Sequence, residues 1–430
     1  MNNASQPFRK FPLKALLRSL ALGAISAISL LAFFFLASKY IVAIGKFATF
    51  NAESGPIGDT IGGTVGPLIA IIASVLTFLA FWVQYDANQQ QKIDLQTERF
   101  ENKFYQMLQI HRDNVTELKM RSVKIIESDD SYTFETVAED GKAVFKDIFN
   151  QFVDCSNELK LFFNKLDRIY ESDYRIKLEK NAFLQNDKKL LALLAKVDIC
   201  YSIVYYGVGA EGLITLHKIF ENKYKDKFIQ DILRYISLKP GGDLAILQKW
   251  ARLNKRGYRP TKIIILDKIF SWRKNNSVLD PQACTLENSV DSLAKDYHNR
   301  YKKYYEGHQS RLGHYFRHLY QTVKYINNQE KISYKRKYEY IKVLRAQLSN
   351  YEQAILFLNS LSSLGQNWEM HPEINSELTT NGKVNFELIT KYNLIKNLPG
   401  ETIYGIPFKR FYPNVQYEGH DKKRNNSHYI

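Results

Sequence analysis

Hydrophobic and polar positions alternate in three distinct ways along this chain. Near the start lie two uncharged runs, Ser19 to Ser38 with 20 residues and Thr60 to Tyr85 with 26. A helix of roughly 20 apolar residues crosses a hydrocarbon layer of about 30 Å, so both runs predict transmembrane helices, at about 19–44 and 60–85. A signal peptide is the alternative for the first run, but the apolar stretch is long and a second follows at once. Next, the polar sequence DANQQQK continues from Tyr85 without a helix breaker. Ile93, Phe100, Phe104, Met107, His111, Val115 and Leu118 then recur at helical spacing. This predicts a membrane-proximal helix over 86–126 that packs on the chain's own bundle, since Phe, Met and His suit a coiled-coil seam poorly.

The third pattern fills the rest. Residues 127–140 are acidic and read as a loop, and helical periodicity returns over 141–171. Leu190–Val208 is very apolar but contains Lys196 and Asp198, which predicts a buried helix and not a third span. Pro240-Gly241-Gly242 marks a turn, 273–290 reads as a loop, and further helices are expected around 291–327, 333–363 and 385–397. The expected fold is mostly all-α. A transmembrane hairpin over 19–85 precedes a cytoplasmic helical domain over 140–415, and a flexible tail occupies 416–430.

Charge orients this arrangement. The first 18 residues carry Arg9, Lys10, Lys14 and Arg18 and no acid, whereas Lys39, Lys46, Glu53 and Asp59 between the spans cancel. The excess of bases before the first span places both termini in the cytoplasm. The three cysteines, Cys155, Cys200 and Cys284, then fall on the reducing side, and so few of them exclude a disulfide scaffold. Of the net charge of +16, residues 1–85 account for +4. Tyr297 to Arg345 has 12 bases and 3 acids interleaved with ten tyrosines. That stretch fits three readings: Lys and Arg stems over a Tyr-filled core, a nucleic-acid surface, or contact with anionic lipid.

Candidate chemistry is sparse. His314 and His318 lie one helical turn apart, but Arg311 and Arg317 beside them would repel a metal ion. Arg311 and His318 form an R-x6-H pattern similar to that of helical HEPN-type ribonucleases, in which His moves a proton and Arg stabilises phosphate charge. Phosphate-cradling and hydrolase motifs are absent, so no cofactor or metal is expected. Gly58, Gly62 and Gly66 repeat every fourth residue, as do Ser19, Gly23 and Ala27, a spacing that lets helices approach closely in lipid. Such rows serve either a hairpin or a homo-oligomer.

Five segments together resemble the phage abortive infection proteins, AbiC-like membrane proteins of bacteria: GDTIGGTVGP, RFENKFYQMLQIHRDNV, GHYFRHLYQTVKYI, YIKVLRAQLSNYEQAILFLNSL and LITKYNLIKNLP. Weaker echoes are GKAVFKDIF and CYSIVYYGVG. The resemblance implies anti-phage defence that stops the host before phage are released. For some relatives it also implies a retron partner, a reverse transcriptase with its RNA–DNA. No catalytic residues transfer with it. The motif positions are Gly58, Asp59, Gly62, Gly63, Gly66 and Pro67 in the second span, where Gly66 replaces the family's usual polar residue. Further on they are His314, Tyr315, Phe316, Arg317, Leu319 and Tyr320, then Arg345, Gln347, Leu348, Ser349 and Glu352. Arg345 and Glu352 are expected two turns apart on one helix, with Arg317 from the neighbouring helix pairing with Glu352. The group forms either a buried network that fixes helix register or a sensing pocket.

Overall fold

The computed structural model describes residues 55–128, 131–164, 166–179, 184, 187–237, 239, 241, 302–370 and 387–418, together with isolated positions between 23 and 37. Of the first apolar run, Gly23, Ser26, Ser29, Leu30, Phe33 and Ala37 are helical, and the rest lies outside the described residues. So do the basic N-terminus, the expected loop at 273–290, Pro240, Gly242, Cys284 and residues 419–430.

The chain divides into two compact units, Met1–Lys103 and Phe104–Ile430. Helix α1, Gly55–Thr116, contains that boundary. Its apolar part is the one helix among the described residues long and apolar enough to cross a membrane, with a mean hydropathy of 1.7 over its most apolar window. None of that window is buried, and Ile71, Phe78, Phe81 and Trp82 are all more than half exposed. Pro67 lies inside this helix.

α1 ends at Thr116, ten residues short of the expected boundary. A β-hairpin follows: β1 (Lys119–Ser128) pairs antiparallel with β2 (Ser131–Asp140), with Lys119 opposite Asp140 and Ser128 opposite Ser131. The acids that suggested a loop at 127–140 belong to an isolated two-stranded ribbon. Among the described residues no further strand joins it, and the apolar alternation in its sequence that signals a strand is weak.

The remainder of the second unit is helical. α2 is Ala143–Glu158, α3 Ser172–Glu179, α4 Lys188–Tyr206, α5 Ala210–Phe220 and α6 Asp226–Ile236. Past the central gap come α7 (Gln309–Asn327), α8 (Tyr334–Arg345), α9 (Asn350–Leu361) and two short turns, α10 (Leu388–Tyr392) and α11 (Phe408–Phe411). α4 is the central helix and packs against α2, α5, α7 and α9. It is apolar nearly all round, as a helix surrounded by protein must be. Asp187 caps it by accepting from the backbone N–H of Leu190 (2.9 Å), and Gly207 ends it at φ 77°.

Asp198 is buried on α4 and is met there by partners from other elements of the unit. Its carboxylate accepts from Tyr224 Oη (2.7 Å), the Ser363 N–H (2.6 Å) and Ser363 Oγ (2.7 Å). A buried charge survives only when its lone pairs are met in this way.

Of the helix expected over 291–327, residues 291–301 lie outside the described residues, and α7 starts at Gln309. Residues 302–308 are instead extended and cross-bonded on both sides. Val208 N–H donates to Tyr305 O and His308 N–H to Tyr205 O, while Gly241 N–H donates to Lys302 O and Tyr304 N–H to Lys239 O. The approach is so close that a methyl group on Gly207 or Gly307 would come within 2.5–2.6 Å of the opposing backbone. The pattern expected as one helix over 333–363 is broken between α8 and α9. Of the expected 385–397 helix, only α10 forms. The tail is ordered through its first residues: Tyr417 is buried and Gln416 N–H donates to Asn393 Oδ1 (2.9 Å).

Candidate functional site

The break after α8 creates a polar junction. Ser349 accepts from the Glu352 N–H (3.3 Å), and Glu352 Oε2 accepts from the Ser349 N–H (2.7 Å), a reciprocal cap that starts α9. Glu352 is fully buried, and its other oxygen accepts from Tyr315 Oη on α7 (3.2 Å). Burial and the neighbouring carboxylate push the Tyr315 phenol well above its usual range. Lys142, just ahead of α2, lies 4.0 Å from Glu352 and donates to the Gln347 carbonyl (2.7 Å). The Gln347 side chain in turn accepts from Arg112 Nε on α1 (3.2 Å). Tyr315 packs on Phe145 (4.8 Å between ring centres) and on His111 (5.1 Å).

Three of the five segments that resemble the abortive infection proteins, with the weaker echo GKAVFKDIF, thus supply one cluster: His111 and Arg112, Lys142 and Phe145, Tyr315, and Gln347, Ser349 and Glu352. His111 and Lys142 were not singled out as site residues. The available signal for His111 was a polar residue in an otherwise apolar helical stripe.

The expected partners are rearranged. Arg345 and Glu352 do not share a helix, because α8 ends at Arg345 and α9 begins at Asn350. Arg345 is buried and donates to the carbonyls of Tyr392 (3.2 Å) and Asn393 (3.0 Å), holding the C-terminal end of α10. Arg317 and His314 are exposed, so the Arg317–Glu352 pair does not form. Tyr320 packs edge-on against Trp368 at 5.0 Å, and Phe316, Leu319 and Leu348 are core residues. Asp59, Gly63, Gly66 and Pro67 are exposed on α1, and Gly58 and Gly62 lie on the same helix.

Arg311 and His318 are both bound to backbone. Arg311 Nε donates to Lys119 O (2.9 Å), and His318 Nε2–H donates to Met107 O (2.7 Å). Arg311 also donates to His308 Nδ1 (3.3 Å), which leaves His308 Nε2–H to donate to Gln151 Oε1 (2.8 Å). Burial, helped by Arg311, pulls the His308 pKa down to about 3. Among the described residues no group of three His, Cys, Asp or Glu is placed to hold a metal ion. The tyrosines of the basic stretch are largely engaged: Tyr304 donates to Asp154 (2.7 Å), Tyr334 to Lys391 O (2.7 Å), and Tyr338 accepts from Asn393 Nδ2 (3.0 Å). These three part-buried tyrosines tie the stretch to other elements of the unit.

Residues 307–403 match the family model described as putative phage abortive infection protein. Over this region, under a quarter of its length, the chain is similar to the abortive infection family. The match runs from Gly307 through α10 and so contains Tyr315, Arg345, Gln347 and Glu352, while His111, Arg112 and Lys142 come from outside it. No curated protein and no solved structure matches the chain.

Proposed function

We propose that this protein is a membrane effector of abortive infection, anchored by a two-helix hairpin in the bacterial inner membrane with both termini cytoplasmic. The observation that carries this reading is the coexistence of the family match with an entirely uncovered apolar segment on α1. In the proposed mechanism the unit from Phe104 onward senses an infection signal. The Gly-rich hairpin then rearranges within a homo-oligomer and breaches the membrane barrier, a toxin-like action. A retron reverse transcriptase with its RNA–DNA is the proposed class of controlling partner.

Gly66 gives a clean test. A side chain there meets nothing within 4 Å among the described residues. The Gly62→Leu, Gly66→Leu double variant is expected to accumulate normally yet fail to collapse membrane potential or admit dye. Full killing by it sinks the mechanism. The ribonuclease alternative, with Arg311 and His318 as the catalytic pair, predicts RNA cleavage while potential persists and loss of killing in His318→Ala. A regulatory adaptor predicts that overexpression alone is harmless.

A further inference from the structure

The stripe on α1 that packs into the second unit contains one residue that is neither apolar nor paired. His111 is 1% exposed, and neither ring nitrogen has a hydrogen-bond partner among the described residues. Buried polar groups are nearly always satisfied, so such an exception calls for an explanation. The groups around it are named above. α7 presents Tyr315 and His318, the start of α2 presents Lys142, and α1 itself presents Arg112. Burial pulls the His111 pKa down to about 4, and the positive charges of His318, Lys142 and Arg112 act in the same direction.

Arg112 is exposed, Lys142 keeps 57% of its side chain exposed, and Gln347 links the two. The carboxylate of the cluster, Glu352, accepts from the Ser349 N–H and Tyr315 Oη and also lies 4.0 Å from Lys142. Asp113 accepts from Gln109 (2.8 Å), and Asp140 stands opposite Lys119 in the hairpin register. Two exposed cations, of which Lys142 also lies 4.0 Å from Glu352, therefore act on a buried imidazole that has no hydrogen-bond partner among the described residues. Exposed Lys and Arg suit a phosphate group, which offers several acceptor oxygens and a double negative charge.

We propose that Arg112, Lys142 and His111 form a binding site for a phosphate group, carried either on a soluble ligand or on a lipid headgroup. It rests on the reading that this unit senses the trigger. Arg112 and Lys142 supply charge and His111 a donor. A dianion arriving above His111 reverses the sign of the local potential, so the imidazole takes up a proton on binding.

The test uses the full chain in detergent micelles, titrated calorimetrically with inorganic phosphate in two buffers of different ionisation enthalpy. Saturable binding with proton uptake is expected. Lys142→Gln and Arg112→Gln should each weaken binding at least about tenfold, as loss of a charged contact does. Arg317→Gln, exposed on α7, should bind as the parent does. His111→Asn should bind without proton uptake. A second arm floats the reconstituted chain with phosphatidylcholine vesicles with or without phosphatidic acid, read as protection of Lys142 from acylation. Protection by soluble phosphate assigns a soluble ligand, and protection only by phosphatidic acid assigns the headgroup. No binding and no protection in either arm overturns the site, as does binding unchanged in both Lys142→Gln and Arg112→Gln. Killing is scored separately in cells. A chain that kills through the membrane yet binds no phosphate disproves this site alone, and one that binds phosphate but never kills disproves the effector reading alone.

Discussion

Two apolar helices of this protein have opposite surroundings. The stretch of α1 from Ile69 to Tyr85 is exposed throughout, whereas α4, from Lys188 to Tyr206, has twelve of its nineteen residues buried. Hydrophobicity alone does not separate them. The difference is in the polar residues. α4 carries Asp198, and other elements of the fold bring Tyr224 and Ser363 to meet it. The apolar part of α1 has no charge to satisfy, and its two interior hydroxyls, Ser74 and Thr77, donate to carbonyls one turn back, at Ala70 and Ala73. A helix that satisfies its own polar groups needs no protein neighbour and suits lipid, while one that cannot must be met by a tertiary partner.

The comparison breaks most sharply at Asp198. Asp198→Ala leaves the buried Tyr224 Oη and the part-buried Ser363 N–H without their acceptor, and should lower stability by about 2–3 kcal/mol. Denaturant unfolding of the chain in detergent checks this. A loss below about 1 kcal/mol would mean that the carboxylate does not hold α4 in place. A charge placed in the other helix should act differently. Leu76→Arg carries an insertion penalty of about 2.5–3.5 kcal/mol in lipid. It should reduce the membrane-bound fraction without shifting the unfolding midpoint of the second unit.

Acid should act on the second unit through its buried histidines. His111 and His308 have folded pKa values of about 4 and about 3, below the unfolded value of 6.5. The unfolded chain therefore binds the extra protons. The stability they contribute is present above pH 6.5 and is lost as the pH falls toward those folded values. Between pH 6.5 and 5.5 the loss is roughly 1 kcal/mol for each histidine, about 2 together. His111→Phe should remove about half of that slope, measured by unfolding at the two pH values. The smallest effect is expected at the α9 cap. Ser349→Ala should lower stability by about 1 kcal/mol. A markedly larger loss would show that Ser349 also governs how Glu352 meets Tyr315.

Much of this was legible along the chain. The uncharged run on α1, the buried character of 190–208 and the helical stripe from Phe104 to Leu118 follow from composition and a 3.6-residue period, which are local properties. So did the segments that resemble the family, one of which lies at the centre of the matched region. The site itself was legible only as a list. Glu352 was assigned to Arg317 because both lie in strongly helical patterns, yet Ser349 starts a new helix and turns Glu352 back on its own N-terminus. Periodicity does not register a break when apolar residues continue at helical spacing on both sides of it.

What the sequence by itself determined is which segments are apolar enough to be buried or inserted, which are helical, and where positive charge collects. Each depends on neighbours within about two helical turns. Only the tertiary structure decided that Lys142 and His111 join Tyr315 and Glu352, that Arg345 holds α10, that Cys155 and Cys200 meet as buried free thiols, and that residues 302–308 run as an extended segment between 205–208 and 239–241. These pairings join residues from 37 to well over 200 positions apart. They arise because buried donors, acceptors and charges must find partners wherever the packed chain places them, a requirement that no local pattern records.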